Sequence, residues 1–174
     1  MGNCRPVKTV FFDRDGTINV KPSEGQWVLK WEEFEFLPHV FEAMRYVKGM
    51  GYTTILVTNQ RCVAKGLIAD EGLNAIHQKM QESLTREGCQ FDHIFYCPHD
   101  KFDGCQCRKP KPGLLKRAEA FYTVDKERSF MVGDSEVDIL AGRSYGIKTI
   151  RLGTVDPLAD FSISDLSELP SIVI

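Results

Sequence analysis

Short runs rich in apolar residues recur along the chain, and between them the apolar residues change to helical spacing. Residues 7–12, 53–57 (TTILV), 93–96 (HIFY), 129–132 (SFMV) and 148–152 (KTIRL) have the length and the β-branched or aromatic content of strands buried on both faces. Val40, Phe41, Met44 and Val47 fall on one helical face, with Gly49 or Gly51 placed to end it. Leu73, Ile76, Met80 and Leu84 form a second stripe over 71–86, and 113–121 and 137–145 supply two more helical patterns. This alternation predicts an α/β fold: a doubly wound, mostly parallel, Rossmann-like sheet with helices on both faces. A short edge strand near Phe161 and a half-turn helix near Leu166 are expected in the tail. A chain of 174 residues suits one domain over 1–174, large enough to bury a core without disulfides. The segment 19–31 is a polar excursion between the first strand and the first helix.

In such a sheet, ligands gather at the carboxyl ends of the strands, near the point where strand order reverses. Past the first strand come Asp13-Arg14-Asp15-Gly16-Thr17, and past the second come Thr58-Asn59-Gln60. Past the third lies a cysteine cluster ending in Arg108-Lys109, and past the fourth Gly133-Asp134-Ser135. Taken alone, D-x-D-G also describes an ordinary turn. The functional reading is that a divalent cation relieves the repulsion between Asp13 and Asp15, and Mg²⁺ suits carboxylates facing phosphate. Asp13 is then placed as a nucleophile on phosphorus and Asp15 as the general acid and base. A cation beside the phosphoryl oxygens is needed as well, with Lys109 and Lys111 as candidates.

Charge and cysteines narrow the class. The net charge of −2 argues against a nucleic-acid partner. No apolar run reaches membrane-spanning length and the N-terminus lacks a signal-peptide core, so a cytoplasmic location is expected. The chain begins Met1-Gly2, but Pro6 stands where a myristoylation signal has Ser or Thr. Of six cysteines, Cys4, Cys62 and Cys89 are scattered, whereas "CPHDKFDGCQCRKP" places Cys97, His99, Cys105 and Cys107 together. Three thiolates and an imidazole make a closed tetrahedral Zn²⁺ set, so a structural zinc-binding loop is expected at 97–107. A disulfide and unligated buried thiols are the alternatives. The loop runs directly into Arg108, whose guanidinium can clamp a second phosphate or carboxylate.

DRDGT, then VTN at 57–59, a lysine, and GDSEVD at 133–138 appear in the order of the haloacid dehalogenase-like superfamily of phosphatases, which the chain resembles from about Val7 to Leu152. The resemblance implies Mg²⁺-dependent hydrolysis of a phosphomonoester on a small sugar phosphate, through an aspartyl-phosphate on Asp13. It implies Mg²⁺ on Asp13, Asp134 and the main-chain carbonyl of Asp15, with the Thr58 hydroxyl and Asn59 amide on the phosphoryl group. The C-R-K-P string assigns the catalytic lysine to Lys109 and leaves Lys111 a solvated neighbour. Asp138 lies beside the ligands or is simply an exposed helix acid. No large cap domain has room, so an open site and a monomer are expected.

DRDG with its central arginine, VTNQ, and CPH…CxCRKPKPG resemble the zinc-containing branch, which holds heptose-bisphosphate 7-phosphatases and histidinol-phosphate phosphatases. EFEFLPHV at 33–40 and PKPG lean towards the former, which implies that Arg108 binds the phosphate left uncleaved. A DNA 3′-phosphatase and a catalytically dead, zinc-braced binding module stand further back. The chain departs from the heptose pattern at Arg61-Cys62, Ala64-Lys65-Gly66, Ser135 and Trp27-Val28. These positions lie where substrate is selected, so Gln60 and Arg61 join the candidate substrate contacts.

Overall fold

A computed structural model describes residues 5–174; Cys4 and the Met1-Gly2 start lie outside the described residues. Six strands form one sheet in the order β3-β2-β1-β4-β5-β6. They are β1 (Thr9–Phe12), β2 (Thr53–Asn59), β3 (His93–Cys97), β4 (Phe130–Gly133), β5 (Lys148–Leu152) and β6 (Phe161–Ile163). Every neighbouring pair is parallel. The helices are α1 (Val40–Gly49), α2 (Asp70–Arg86), α3 (Gly113–Lys116) and α4 (Glu136–Tyr145).

Successive strand residues point to opposite faces, and β1 shows the consequence. Val10 and Phe12 enter a core with Val40, Ala43, Met44 and Val47 of α1 and Ile76, Met80 and Leu84 of α2. Phe11, between them, enters a second core with Leu114 and Leu115 of α3 and Ala141 and Tyr145 of α4. Burying each such side chain contributes about 1.5–3 kcal/mol, and β1 contributes to both cores. Strand order reverses between β1 and β4, so their carboxyl ends flank the crevice where a ligand is expected.

Several boundaries move. β2 runs on through Thr58 and Asn59, because β3 keeps pairing with it as far as Asn59 opposite Cys97. Val7 makes only an isolated bridge to Val124, and Ser129 sits just before β4, where its hydroxyl accepts the Thr9 N–H. The helix expected over 113–121 is a four-residue α3 followed by a 3₁₀ turn, Arg117–Ala120. Its buried stripe is only Leu114, Leu115 and Ala118, and Phe121 is exposed, so no apolar face carries the helix further. The edge strand near Phe161 is β6, and the half-turn is the 3₁₀ helix Leu166–Ser171. No helix among the described residues is long and apolar enough to cross a membrane.

Candidate active site

The turn after β1 is built from its own backbone. The Arg14 carbonyl accepts the N–H groups of Thr17, Ile18 and Asn19, and Gly16 takes φ +89°. A Cβ at Gly16 would overlap the Asp134 carboxylate, so this position serves both the left-handed turn and the close approach of the fourth strand's acid. Gly133 allows the same close approach for Asp138, whose side chain occupies the space of the missing Cβ.

Asp13, Asp15, Thr58, Lys109, Asp134 and Asp138 line one cavity of roughly 210 Å³, with Lys21 and Arg108 at its wall. Lys109 Nζ lies 2.7 Å from Asp13 Oδ1 and 2.6 Å from Asp138 Oδ1, and donates to the Val57 carbonyl at 2.7 Å. Burial, above all, pushes the Asp13 carboxyl up to about 7; Lys109 opposes this, while Asp138 and Asp15 add to it. Burial works downward on Lys109, but Asp13 and Asp138 hold it above the ordinary lysine value, so it stays cationic.

Asp138 is fully buried, which removes the exposed-acid alternative. Its Oδ2 accepts the Ser135 N–H and hydroxyl in the capping box of α4, and its Oδ1 faces Lys109.

Asp15 points elsewhere. Arg14, fully buried, donates to it through Nε and Nη2 (3.1 and 2.9 Å to Oδ1), Asn19 donates to Oδ1 at 3.0 Å, and Gln60 to Oδ2 at 2.9 Å. Burial works upward on this carboxyl, but Arg14 with the Asn19 and Gln60 hydrogen bonds holds it below the usual carboxylate range. Behind Arg14, His77 Nε2 lies 3.1 Å from Nη1. Burial and then the Arg14 charge depress the His77 imidazole to about 3, so it is neutral.

The second-strand residues take up separate tasks. The Thr58 hydroxyl, 1 % exposed, accepts from Gln60 Nε2 at 2.9 Å and keeps its own proton to donate. The Asn59 side chain bonds the Lys109 backbone, and the Gln60 side chain spans Thr58 and Asp15. Arg61 Nε donates to Asp100 Oδ2 at 2.7 Å, on the cysteine loop. Lys111, expected to be only solvated, is exposed but donates to the Cys105 carbonyl at 2.7 Å.

Cys97 Sγ lies 3.5 Å from His99 Nδ1 and 3.7 Å from Cys105 Sγ, and His99 Nδ1 lies 3.2 Å from Cys107 Sγ. Ligands about 2.3 Å from one tetrahedral zinc are about 3.8 Å apart, so the cluster has the dimensions of that ion's shell. All the described cysteines are free thiols, not disulfides. Arg108 Nη1 donates to the carbonyl of His99, a member of the cluster, at 3.3 Å.

A second group suits a divalent cation: Asp13, Asp134 and Asp138 each offer an oxygen within 4.8 Å of the others. Asp134 Oδ1 is buried with no hydrogen-bond partner among the described residues, while Oδ2 pairs with Lys21 Nζ at 2.6 Å. Three carboxylates, one with an orphaned oxygen, fit the hard-cation chemistry of Mg²⁺.

Sequence reading did not single out Lys21, His77, Asn19 or Asp100, and treated Arg14 only as part of a motif. An arginine between two acids, with Asn19 four residues past Asp15 in the same turn, was the local signal available; Lys21, His77 and Asp100 meet the site only through folding.

The family model described as HAD-hydrolase-like matches residues 106–154. A curated D-glycero-beta-D-manno-heptose-1,7-bisphosphate 7-phosphatase of Pasteurella multocida (strain Pm70) is 35 % identical, covering 95 % of this chain and 96 % of its own. One from Helicobacter pylori (strain J99 / ATCC 700824) is 39 % identical, covering 87 % of this chain and 86 % of its own. Among solved structures, the D,D-heptose 1,7-bisphosphate phosphatase of B. bronchiseptica, complexed with magnesium and phosphate, aligns with a TM-score of 0.86 at 32 % identity. That alignment covers 95 % of this chain and 97 % of the other. With such identity over nearly the whole length, the chain belongs to the haloacid dehalogenase-like hydrolases, in the family that these 7-phosphatases form.

Proposed function

We propose that the chain removes the 7-phosphate of a D-glycero-D-manno-heptose 1,7-bisphosphate, with Asp13 as nucleophile, Asp15 as acid and base, and Lys109 as the cation on the transferring phosphoryl group. The observation that carries this reading is the placement of Asp13 and Lys109, 2.7 Å apart, beside Asp134 at the switch point of the sheet. The heptose substrate comes from the relatives' activity.

Asp13, Asp134 and the main-chain carbonyl of Asp15 would hold Mg²⁺, which when bound offsets charge on the phosphoryl oxygens. A carboxylate oxygen of Asp13 attacks phosphorus, the bond to the sugar oxygen breaks, and Asp15 gives its proton to that leaving oxygen. Water then attacks the aspartyl-phosphate, Asp15 takes the water's proton, and phosphate leaves with Asp13 regenerated. Thr58 and Lys109 donate to the phosphoryl oxygens in both halves. The Arg14 clamp favours ionised Asp15, the form needed for the second half. Before the first turnover Asp15 takes a proton from solvent, and the water's proton restores it afterwards.

Cys97, His99, Cys105 and Cys107 would hold Zn²⁺ with all four positions filled by protein, so its task is to shape the loop. The hydrogen bond from Arg108 to the His99 carbonyl ties the anion-binding guanidinium to that loop. The reading includes a monomer in the cytoplasm, where thiols stay reduced for metal binding.

The test is phosphate release, with Mg²⁺ and after its removal, from heptose 1,7-bisphosphate, heptose 1-phosphate, histidinol phosphate and a 3′-phosphorylated oligonucleotide. Mg²⁺-dependent release from the bisphosphate, stopping at one phosphate per molecule, is expected. Faster turnover of histidinol phosphate would overturn the substrate assignment. Light scattering checks the monomer.

A further inference from the structure

Lys21 is held to the site by its backbone. Just before it, the limbs of the excursion are joined by two hydrogen bonds, Leu37 N–H to the Ile18 carbonyl (2.9 Å) and Val20 N–H to the Glu35 carbonyl (2.8 Å). From this anchored base the side chain reaches across to Asp134 Oδ2 at 2.6 Å. Gly16 packs against the same carboxylate so closely that no Cβ would fit. The two oxygens of Asp134 therefore differ: Oδ2 is committed to an ammonium, and Oδ1 is buried and unpartnered among the described residues.

That division matters for ion choice. Ca²⁺ accepts a large, variable oxygen shell and often takes both oxygens of one carboxylate. Mg²⁺ wants a small octahedral shell and takes carboxylates through single oxygens. The Lys21 side chain is 57 % exposed, so its ion pair adds little to stability; its effect is on which Asp134 oxygen remains available.

We propose that Lys21 is a specificity-determining residue for the cation: by occupying Asp134 Oδ2 it restricts Asp134 to a single ligand oxygen and makes the site prefer Mg²⁺ over Ca²⁺. This rests on the reading of the Asp13–Asp134 cluster as a divalent-cation site. It assigns a metal-selecting role to a loop residue that ligates nothing itself. Partners that orient a ligating carboxylate tune metal affinity in this way.

The test is calorimetric titration of MgCl₂ and of CaCl₂ into zinc-loaded protein dialysed free of both ions, for the native chain, Lys21→Met, Lys21→Arg and Asp134→Asn. Removing a positive charge strengthens binding of either cation, so the readout is the ratio of the Ca²⁺ to the Mg²⁺ dissociation constant. That ratio should fall about tenfold in Lys21→Met and be kept in Lys21→Arg, which can still donate to Oδ2. An unchanged ratio in a Lys21→Met protein that binds both ions overturns the role of Lys21 and leaves the cation site standing. Native protein that binds neither ion, or Asp134→Asn that binds as the native chain does, overturns the cation site itself and this inference with it. Thermal unfolding of each variant, followed by circular dichroism, checks that all are folded.

Discussion

Asn59 grips the backbone of Lys109 from both sides: its Oδ1 accepts the Lys109 N–H at 3.1 Å and its Nδ2 donates to the Lys109 carbonyl at 3.1 Å. The ammonium that meets Asp13 is therefore aimed by a side chain on a neighbouring strand. This pair makes the end of β2 and the turn after the cysteine loop one unit, and it sets the direction of the cation.

Asn59→Ala should lower kcat by about 100-fold with a smaller change in KM, as expected when a reacting group is misplaced rather than removed. Lys109→Met should lose at least as much. Steady-state phosphate release from both variants checks this, and a kcat unchanged in Asn59→Ala would show that Lys109 is held by its ion pairs alone.

Asp13→Asn should release no phosphate from any substrate and take up no label from a ³²P-labelled ester. Asp15→Asn should slow the sugar substrate by about 10²–10⁴-fold. With p-nitrophenyl phosphate, whose leaving group needs no proton, the first half should be spared and phosphoenzyme should accumulate. Equal defects on both substrates would assign the proton transfers to another group.

Purified protein should contain about one zinc per chain. Cys107→Ser should lose it, melt at lower temperature, and show a raised KM for the bisphosphate, because Arg108 is tied to the His99 carbonyl. Full zinc content in Cys107→Ser would refute the four-ligand set.

His77 makes stability depend on pH. Its folded value is near 3 against 6.5 unfolded, so between these values the unfolded chain binds the extra proton. Stability from this group is complete above about 6.5 and is lost as pH falls towards 3, at up to about 1.4 kcal/mol per pH unit. His77→Gln should flatten the urea-unfolding profile over this range. An unaltered slope would mean that His77 is protonated in the folded state.

Much of this was legible in one dimension. The apolar runs located five strands because a parallel strand covered on both faces must be mostly apolar and largely free of charge, and TTILV and SFMV are. The acids after β1 and β4 were legible because a parallel sheet brings all its carboxyl ends to one edge. The Cys97, His99, Cys105 and Cys107 cluster was legible because its members lie within eleven residues of one another. The end of β2 was less so. Thr58-Asn59-Gln60 reads as a stretch past the strand facing the ligand, but Thr58 and Asn59 continue β2, so their side chains alternate: Thr58 bonds Gln60, just past the strand's end, while Asn59 reaches Lys109.

By itself, then, the chain's pattern determined the sheet, its helices and the chemical inventory at its edge, since periodicity and local spacing are properties of neighbouring residues. Folding alone decided which partner each polar group received. Lys21 and Asp134 stand 113 positions apart, Asn59 and Lys109 fifty, and Arg14 and His77 sixty-three. No local pattern encodes those pairings. They arise because burial leaves each charge or amide only the partners that the packed backbones bring within a few ångströms.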